Sequence, residues 1–245
     1  EGASYPYFID WRTADLKQSK DANPCFYLYL LKECKKLLSL LGFETLLSEI
    51  FSKLNKFEPE VFKISQFDCF SLLTGKGNKE EILKTILTSR ESQFSPFSYY
   101  FVITALFDSY KEEAIEMFKN YNMAMINLGA TTFFEEFEFD WKNSIKIDEL
   151  PDGKFNFLTD AGTGCYKGLR KSLCHGWASA PVSFIIENIV GFKGTDGNTL
   201  LFKPFTGSLK EFKASFCSPL GLVKVTFSNG KIDVFPPKNT KVKII

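Results

Sequence analysis

The chain is predicted to be mainly α, a series of antiparallel helical hairpins followed by a small C-terminal β-domain. Three observations carry this. Apolar residues recur at helical spacing in paired segments between residues 23 and 126, short polar connections join each pair, and the pattern turns strand-like after Gly191. The predicted division is 1–191 for the helical part and 192–245 for the β-domain.

The first element starts at Asn23-Pro24, where a capping side chain is followed by Pro at the first helical position. Phe26, Leu30, Leu31, Leu37, Leu38 and Leu41 then form its apolar face, and Gly42 stops it. Residues 44–57 repeat the pattern with Leu46, Leu47, Ile50, Phe51, Leu54 and Phe57 and end before Pro59. Ser65 and Asn78 are expected to cap two shorter helices, which end at Gly75 and beyond Leu87. Ser95-Pro96 opens the third pair, with Phe97, Phe101, Ala105 and Leu106 on the first helix. Its return helix carries Ala114, Ile115, Phe118, Met125 and Ile126 to Gly129. Helix pairs with polar loops at one end fit a toroid of hairpins whose site lies at the loop end.

From 130 to 174 the apolar runs are short and Gly-rich, which reads as a long functional loop. A helix around Phe184–Ile189 follows and stops at Gly191. Strands are then expected at 200–202, 209–214, 221–227, 232–234 and 242–244, with Ser228-Asn229-Gly230-Lys231 as a hairpin turn.

Charge and cysteine usage narrow the function classes. Thirty Lys and Arg oppose 29 Asp and Glu, and the basic residues are scattered. That distribution leaves no footprint for nucleic acid or an anionic membrane, so a neutral small partner is expected. The six cysteines form no CxxC pair; neither a metal site nor a disulfide framework is expected, and no cofactor is implied. Free thiols lean towards a cytoplasmic setting, although the compartment stays unassigned. No apolar run approaches the length of about 18 residues that suggests a membrane helix, and no basic leader with an apolar core opens the chain. The chain starts at Glu1 without an initiator Met, so further sequence upstream is expected.

Two stretches carry the candidate chemistry: Gly129-Ala130-Thr131-Thr132-Phe133-Phe134-Glu135-Glu136-Phe137, and Ser172-Leu173-Cys174-His175-Gly176-Trp177. A carboxylate among aromatic rings, with the only His of the chain beside a Trp, suits a sugar pocket. Rings stack on the apolar face of a pyranose, and a carboxylate can deprotonate water. On pattern alone, the acidic and aromatic run through Asp140 also fits a half-exposed strand edge, and His175 also fits a structural residue. Cys174-His175 is a poor nucleophile pair, because adjacent residues rarely present their side chains to each other. Gly162-Thr163-Gly164-Cys165-Tyr166-Lys167-Gly168 lacks the strand and helix that a dinucleotide loop requires.

These stretches, with Ile147-Asp148-Glu149-Leu150, Cys165-Tyr166-Lys167-Gly168 and Ser95-Pro96-Phe97, resemble the C-terminal half of bacterial α-L-rhamnosidases, glycoside hydrolase family 78. The order of elements is similar as well. The resemblance implies a partial (α/α)6 barrel of helical hairpins with a C-terminal β-domain, and removal of terminal rhamnose or a similar deoxyhexose with inversion. It implies Glu135 as the catalytic general base and His175, Trp11, Asp10 and Phe134 as substrate-binding residues. Phe134 stands where the family often has Trp, which keeps a stacking face and loses an indole donor.

The resemblance departs at the general acid, because an inverting glycosidase needs a second carboxyl about 6.5–9.5 Å from the base. In the family that acid precedes the position matching Trp11. A full barrel also takes twelve helices, and this sequence supplies about seven by the spacing rules of helical periodicity. The expectation is a fragment, nearly inactive alone, whose open flank is covered by the missing half of the barrel or by self-association. The competing readings are a non-catalytic carbohydrate-binding or scaffold domain, and another six-hairpin glycosidase acting on glucosides or uronides.

Overall fold

The structure, a computed structural model, describes residues 19–54, 56–89, 94–137, 139 and 172–245. Asp10, Trp11 and most of the 130–174 loop lie outside the described residues. The chain divides into two compact units, Glu1–Ala178 and Ser179–Ile245. The described part of the first is helical and loop-like, and the second holds all the described strands. The expected mainly α chain with a C-terminal β part is therefore present.

Among the described residues the first unit holds six α-helices, α1 Ser19–Leu40, α2 Glu44–Leu54, α3 Ser65–Thr74, α4 Lys79–Thr88, α5 Pro96–Phe107 and α6 Lys111–Asn127, and a 3-10 turn at Gly176–Ala178. Helices α1, α3 and α5 pack on one another in turn, while α2, α4 and α6 each pack on the helix before them. Three hairpins thus stand side by side. In the middle, α3 is covered on several sides, so even Gln66, Asp68 and Ser71 are buried with Phe67 and Phe70. This crowding explains why α3 lacks a clean apolar stripe.

The caps show how side chains set the boundaries. Asn78 accepts the Glu81 N–H at 3.2 Å, and Ser95 accepts the Ser98 N–H at 3.2 Å with Pro96 following, as the sequence predicts. Ser65 does not cap α3; it begins the helix, and its hydroxyl is hydrogen-bonded to that of Ser89. The reaching-back role falls to Asp68, whose carboxylate accepts the N–H groups of Phe62 at 2.9 Å and Ile64 at 3.1 Å. Burial pushes this carboxyl up to about 6, against the opposing pull of those amides.

Helix α1 differs most from expectation. It begins at Ser19, so Pro24 lies inside it and Asn23 is buried instead of capping. Its buried stripe is Ala22, Cys25 and Leu28, whereas Leu30, Leu37 and Leu41, expected in the core, face outward. On α2 Leu47 is buried while Leu46, expected on the same apolar face, is exposed, and the helix ends at Leu54.

In the second unit a short helix, α7 Ala180–Phe184, runs into a π-turn at Ile185–Ile189 and leads to six strands. Strands β1 Phe192–Asp196, β2 Thr199–Phe202 and β6 Lys241–Ile244 make one sheet, with β1 and β2 antiparallel and β6 parallel to β2. Strands β3 Glu211–Ser218, β4 Gly221–Ser228 and β5 Lys231–Phe235 make an antiparallel meander. Val190, Leu200, Phe202, Val223 and Val225 form the shared core. Val190 explains why the segment before Gly191 falls with the sheets, earlier than the change of pattern at 191 places the division. The predicted hairpin turn is present, with Asn229 and Gly230 at φ 52° and 75°.

Candidate functional site

The site is built where the chain leaves α6. Leu128 and Gly129 close the helix, with Gly129 at φ 104°, and an irregular segment follows over residues 130–137. Phe134 and Phe137 turn inward and anchor this segment; the Phe137 ring meets Tyr121 of α6 edge-on at 5.4 Å. Glu135 and Glu136 lie partly exposed between them.

Residues 172–175, distant in sequence, lie beside that segment. The Glu135 N–H donates to the Ser172 carbonyl at 2.8 Å, and the His175 N–H donates to the Phe133 carbonyl at 2.8 Å. The Thr132 hydroxyl donates to the Leu173 carbonyl. These bonds make a short antiparallel clasp between the two stretches that the sequence singles out. They also bring the side chains together: His175 Nδ1 stands 3.9 Å from Glu135 Oε2. The Ser172 N–H donates to the same carboxylate oxygen at 3.3 Å and fixes its orientation.

Both groups are reachable by a ligand, since the Glu135 side chain is 22 % exposed and that of His175 33 %. A separation of 3.9 Å exceeds a direct hydrogen bond and leaves room for one water or hydroxyl to touch both groups. The pair therefore offers an acceptor and an imidazole to a single bridging oxygen.

An aromatic wall stands next to them. The His175 ring meets Trp177 edge-on at 5.4 Å, and Trp177 stacks on Phe97 of α5 at 4.8 Å and 16°. Phe97 in turn meets Phe101 at 5.2 Å. Trp177 and Phe97 are both partly exposed, while the Trp177 indole N–H is buried and finds no hydrogen-bond acceptor among the described residues.

The predicted site residues separate accordingly. Glu135 and His175 are brought together. Phe134 is only 1 % exposed, so in this conformation its ring packs into the protein and offers no face to a sugar. Asp10 and Trp11 lie outside the described residues. The aromatic pair beside them is Trp177 on Phe97; the sequence places Trp177 beside His175, whereas Phe97 has no site role by its pattern. The signal for Trp177 lies in His175-Gly176-Trp177, two residues from the imidazole.

Among the described residues, no group of three or more His, Cys, Asp or Glu side chains could hold a metal ion. The described cysteines Cys25, Cys34, Cys69, Cys174 and Cys217 are free thiols. Among the described residues no helix is long and apolar enough to cross a membrane. No family model matches the chain, and no curated protein matches it.

Proposed function

We propose that the chain is part of an inverting glycoside hydrolase similar to α-L-rhamnosidases, acting on terminal rhamnose or a related deoxyhexose. The observation that carries this reading is the Glu135–His175 pair, 3.9 Å apart beside the Trp177–Phe97 stack. The row of three hairpins, with α1, α3 and α5 adjacent, supports the finer reading of the fold as part of an (α/α)6 toroid.

In this mechanism Glu135 takes a proton from a water, and that oxygen bonds to the anomeric carbon from the face opposite the aglycone. The bond from the anomeric carbon to the aglycone oxygen breaks with its electron pair, and the departing oxygen receives a proton from a general acid. His175 hydrogen-bonds a sugar hydroxyl, and Trp177 lies against the apolar face of the ring. The acid is proposed to come from a segment outside the described residues.

A second reading has its own support, because the side chain found 3.9 Å from the Glu135 carboxylate is an imidazole, which suits holding a sugar hydroxyl without turnover. A carbohydrate-binding domain without turnover would look the same. The two readings separate on a substrate whose leaving group needs no protonation, such as 2,4-dinitrophenyl α-L-rhamnoside. The hydrolase reading predicts slow release of dinitrophenolate with β-configured rhamnose as first product. Glu135→Gln, which keeps shape but cannot take a proton, is expected to lower the rate by about 10² to 10⁴. Saturable rhamnose binding without hydrolysis would favour the binding domain, and hydrolysis unchanged in Glu135→Gln would remove Glu135 from the role. Aryl glucoside and glucuronide controls test the other six-hairpin specificities.

A further inference from the structure

Every backbone carbonyl from Ser172 to His175 has a donor. The Ser172 carbonyl takes the Glu135 N–H at 2.8 Å, the Leu173 carbonyl the Thr132 hydroxyl, the Cys174 carbonyl the Ser172 hydroxyl at 3.1 Å, and the His175 carbonyl the Ala178 N–H at 3.1 Å. Of these four donors, only the one at Leu173 is a side chain of the facing segment. The reason lies in the register. In an antiparallel ladder, hydrogen-bonded pairs recur two residues along each strand. The bond from the His175 N–H to the Phe133 carbonyl therefore calls for a bond from the Glu135 N–H to the Leu173 carbonyl. The Glu135 N–H instead reaches Ser172, one residue further along. Leu173 is thus an extra residue in the clasp, as in a β-bulge, an arrangement that re-aims the groups beside it. Its carbonyl is left to the Thr132 hydroxyl, and the Ser172 N–H turns to the Glu135 carboxylate at 3.3 Å.

We propose that Thr132 is a positioning residue for the Glu135–His175 pair: its hydroxyl holds the one-residue slip at Leu173 that turns the Ser172 N–H onto the Glu135 carboxylate and sets His175 Nδ1 3.9 Å from it. Without that hydroxyl the Leu173 carbonyl loses its partner, and the regular register, in which the Glu135 N–H bonds to Leu173, gains by comparison. A shift by one residue would carry the Ser172 amide away from the carboxylate, since each step along a strand reverses the side that a group faces. The Thr132 side chain is exposed and acts through the backbone of Leu173. The assignment concerns the pair itself and holds for any ligand; only its effect on turnover rests on the hydrolase reading.

The test follows two reporters in the full 245-residue chain, the imidazole resonances of His175, the only histidine, and the backbone amide resonance of Ser172. Glu135→Gln is expected to move both, because each group lies beside the carboxylate that this change neutralises. Thr132→Val, which keeps the shape and removes the hydroxyl, is expected to move both in the same direction with the circular dichroism spectrum unchanged. Thr132→Ser is expected to return them to their wild-type positions. Thr131→Val makes the same change at the exposed neighbour and is expected to leave them in place. On the dinitrophenyl rhamnoside, Thr132→Val is expected to lower kcat about fivefold, the size of one lost hydrogen bond, with KM nearly unchanged. Resonances that keep their wild-type positions in Thr132→Val would overturn the assignment. So would a Thr132→Ser or Thr131→Val chain that behaves like Thr132→Val. The expected shifts in a chain that shows no turnover would sink the hydrolase reading and support this assignment.

Discussion

Glu135 and Asp68 are both drawn partly or wholly out of water, but they are held for different ends. Glu135 keeps one oxygen on the Ser172 amide and leaves its carboxylate open to the His175 side. Asp68 is fully buried and spends its oxygens on the backbone amides of Phe62 and Ile64. Because burial raises the Asp68 carboxyl to about 6 from an ordinary value of 3.8, the folded state binds this proton more tightly than the unfolded chain does. Its contribution is therefore fully present below about pH 4 and is lost as pH rises through 6. Wild type is expected to lose on the order of 2 kcal/mol relative to Asp68→Asn between pH 4 and pH 7, measured by urea denaturation at both pH values. A constant difference across that range would contradict the assignment. At this scale, Glu135 and His175 were legible because their residue types imply chemistry. The inward turn of Phe134 was not, since a run of aromatic residues does not reveal which ring the core takes.

Secondary-structure elements show the same division between local and non-local information. The caps at Asn78 and Ser95 were legible because a cap is written within four residues. Replacing Asn78 with Ala is expected to cost about 1 kcal/mol, read by thermal unfolding, with no effect on ligand binding. The outward stripe of α1 was not legible, because an apolar face reads the same whether a neighbour covers it within the chain or beyond it. Strand β1 escaped notice because Gly194 and the Asp196-Gly197 turn interrupt its alternation, and its pairing with β2 carries a register shift between Phe192 and Gly194. Gly191, expected as a helix stop, proves to be a tight junction as well. It sits at φ 81°, and a Cβ there would meet the Lys203 carbonyl carbon and oxygen at 2.3 Å. Gly191→Ala is expected to destabilise the β unit by about 3 kcal/mol or more, seen as an early unfolding transition. Wild-type stability in that variant would show that the junction can relax.

For the whole molecule, the mainly α chain with a C-terminal β part was readable from periodicity, which changes from helical to alternating within one stretch of sequence. The clasp between residues 132–135 and 172–175 was not readable from periodicity, because it joins segments some forty residues apart through four hydrogen bonds of an irregular loop. The motifs nevertheless pointed to the same two stretches, and the fold gives them a common place. This common place is proposed to receive a sugar. His175 is the only histidine of the chain, so its imidazole nitrogen resonances are a unique reporter. Titrating L-rhamnose into the uniformly ¹⁵N-labelled chain is predicted to shift those resonances saturably, and Trp177→Ala is predicted to weaken the effect. Resonances of His175 that stay fixed at high millimolar rhamnose would rule out a sugar site beside this imidazole.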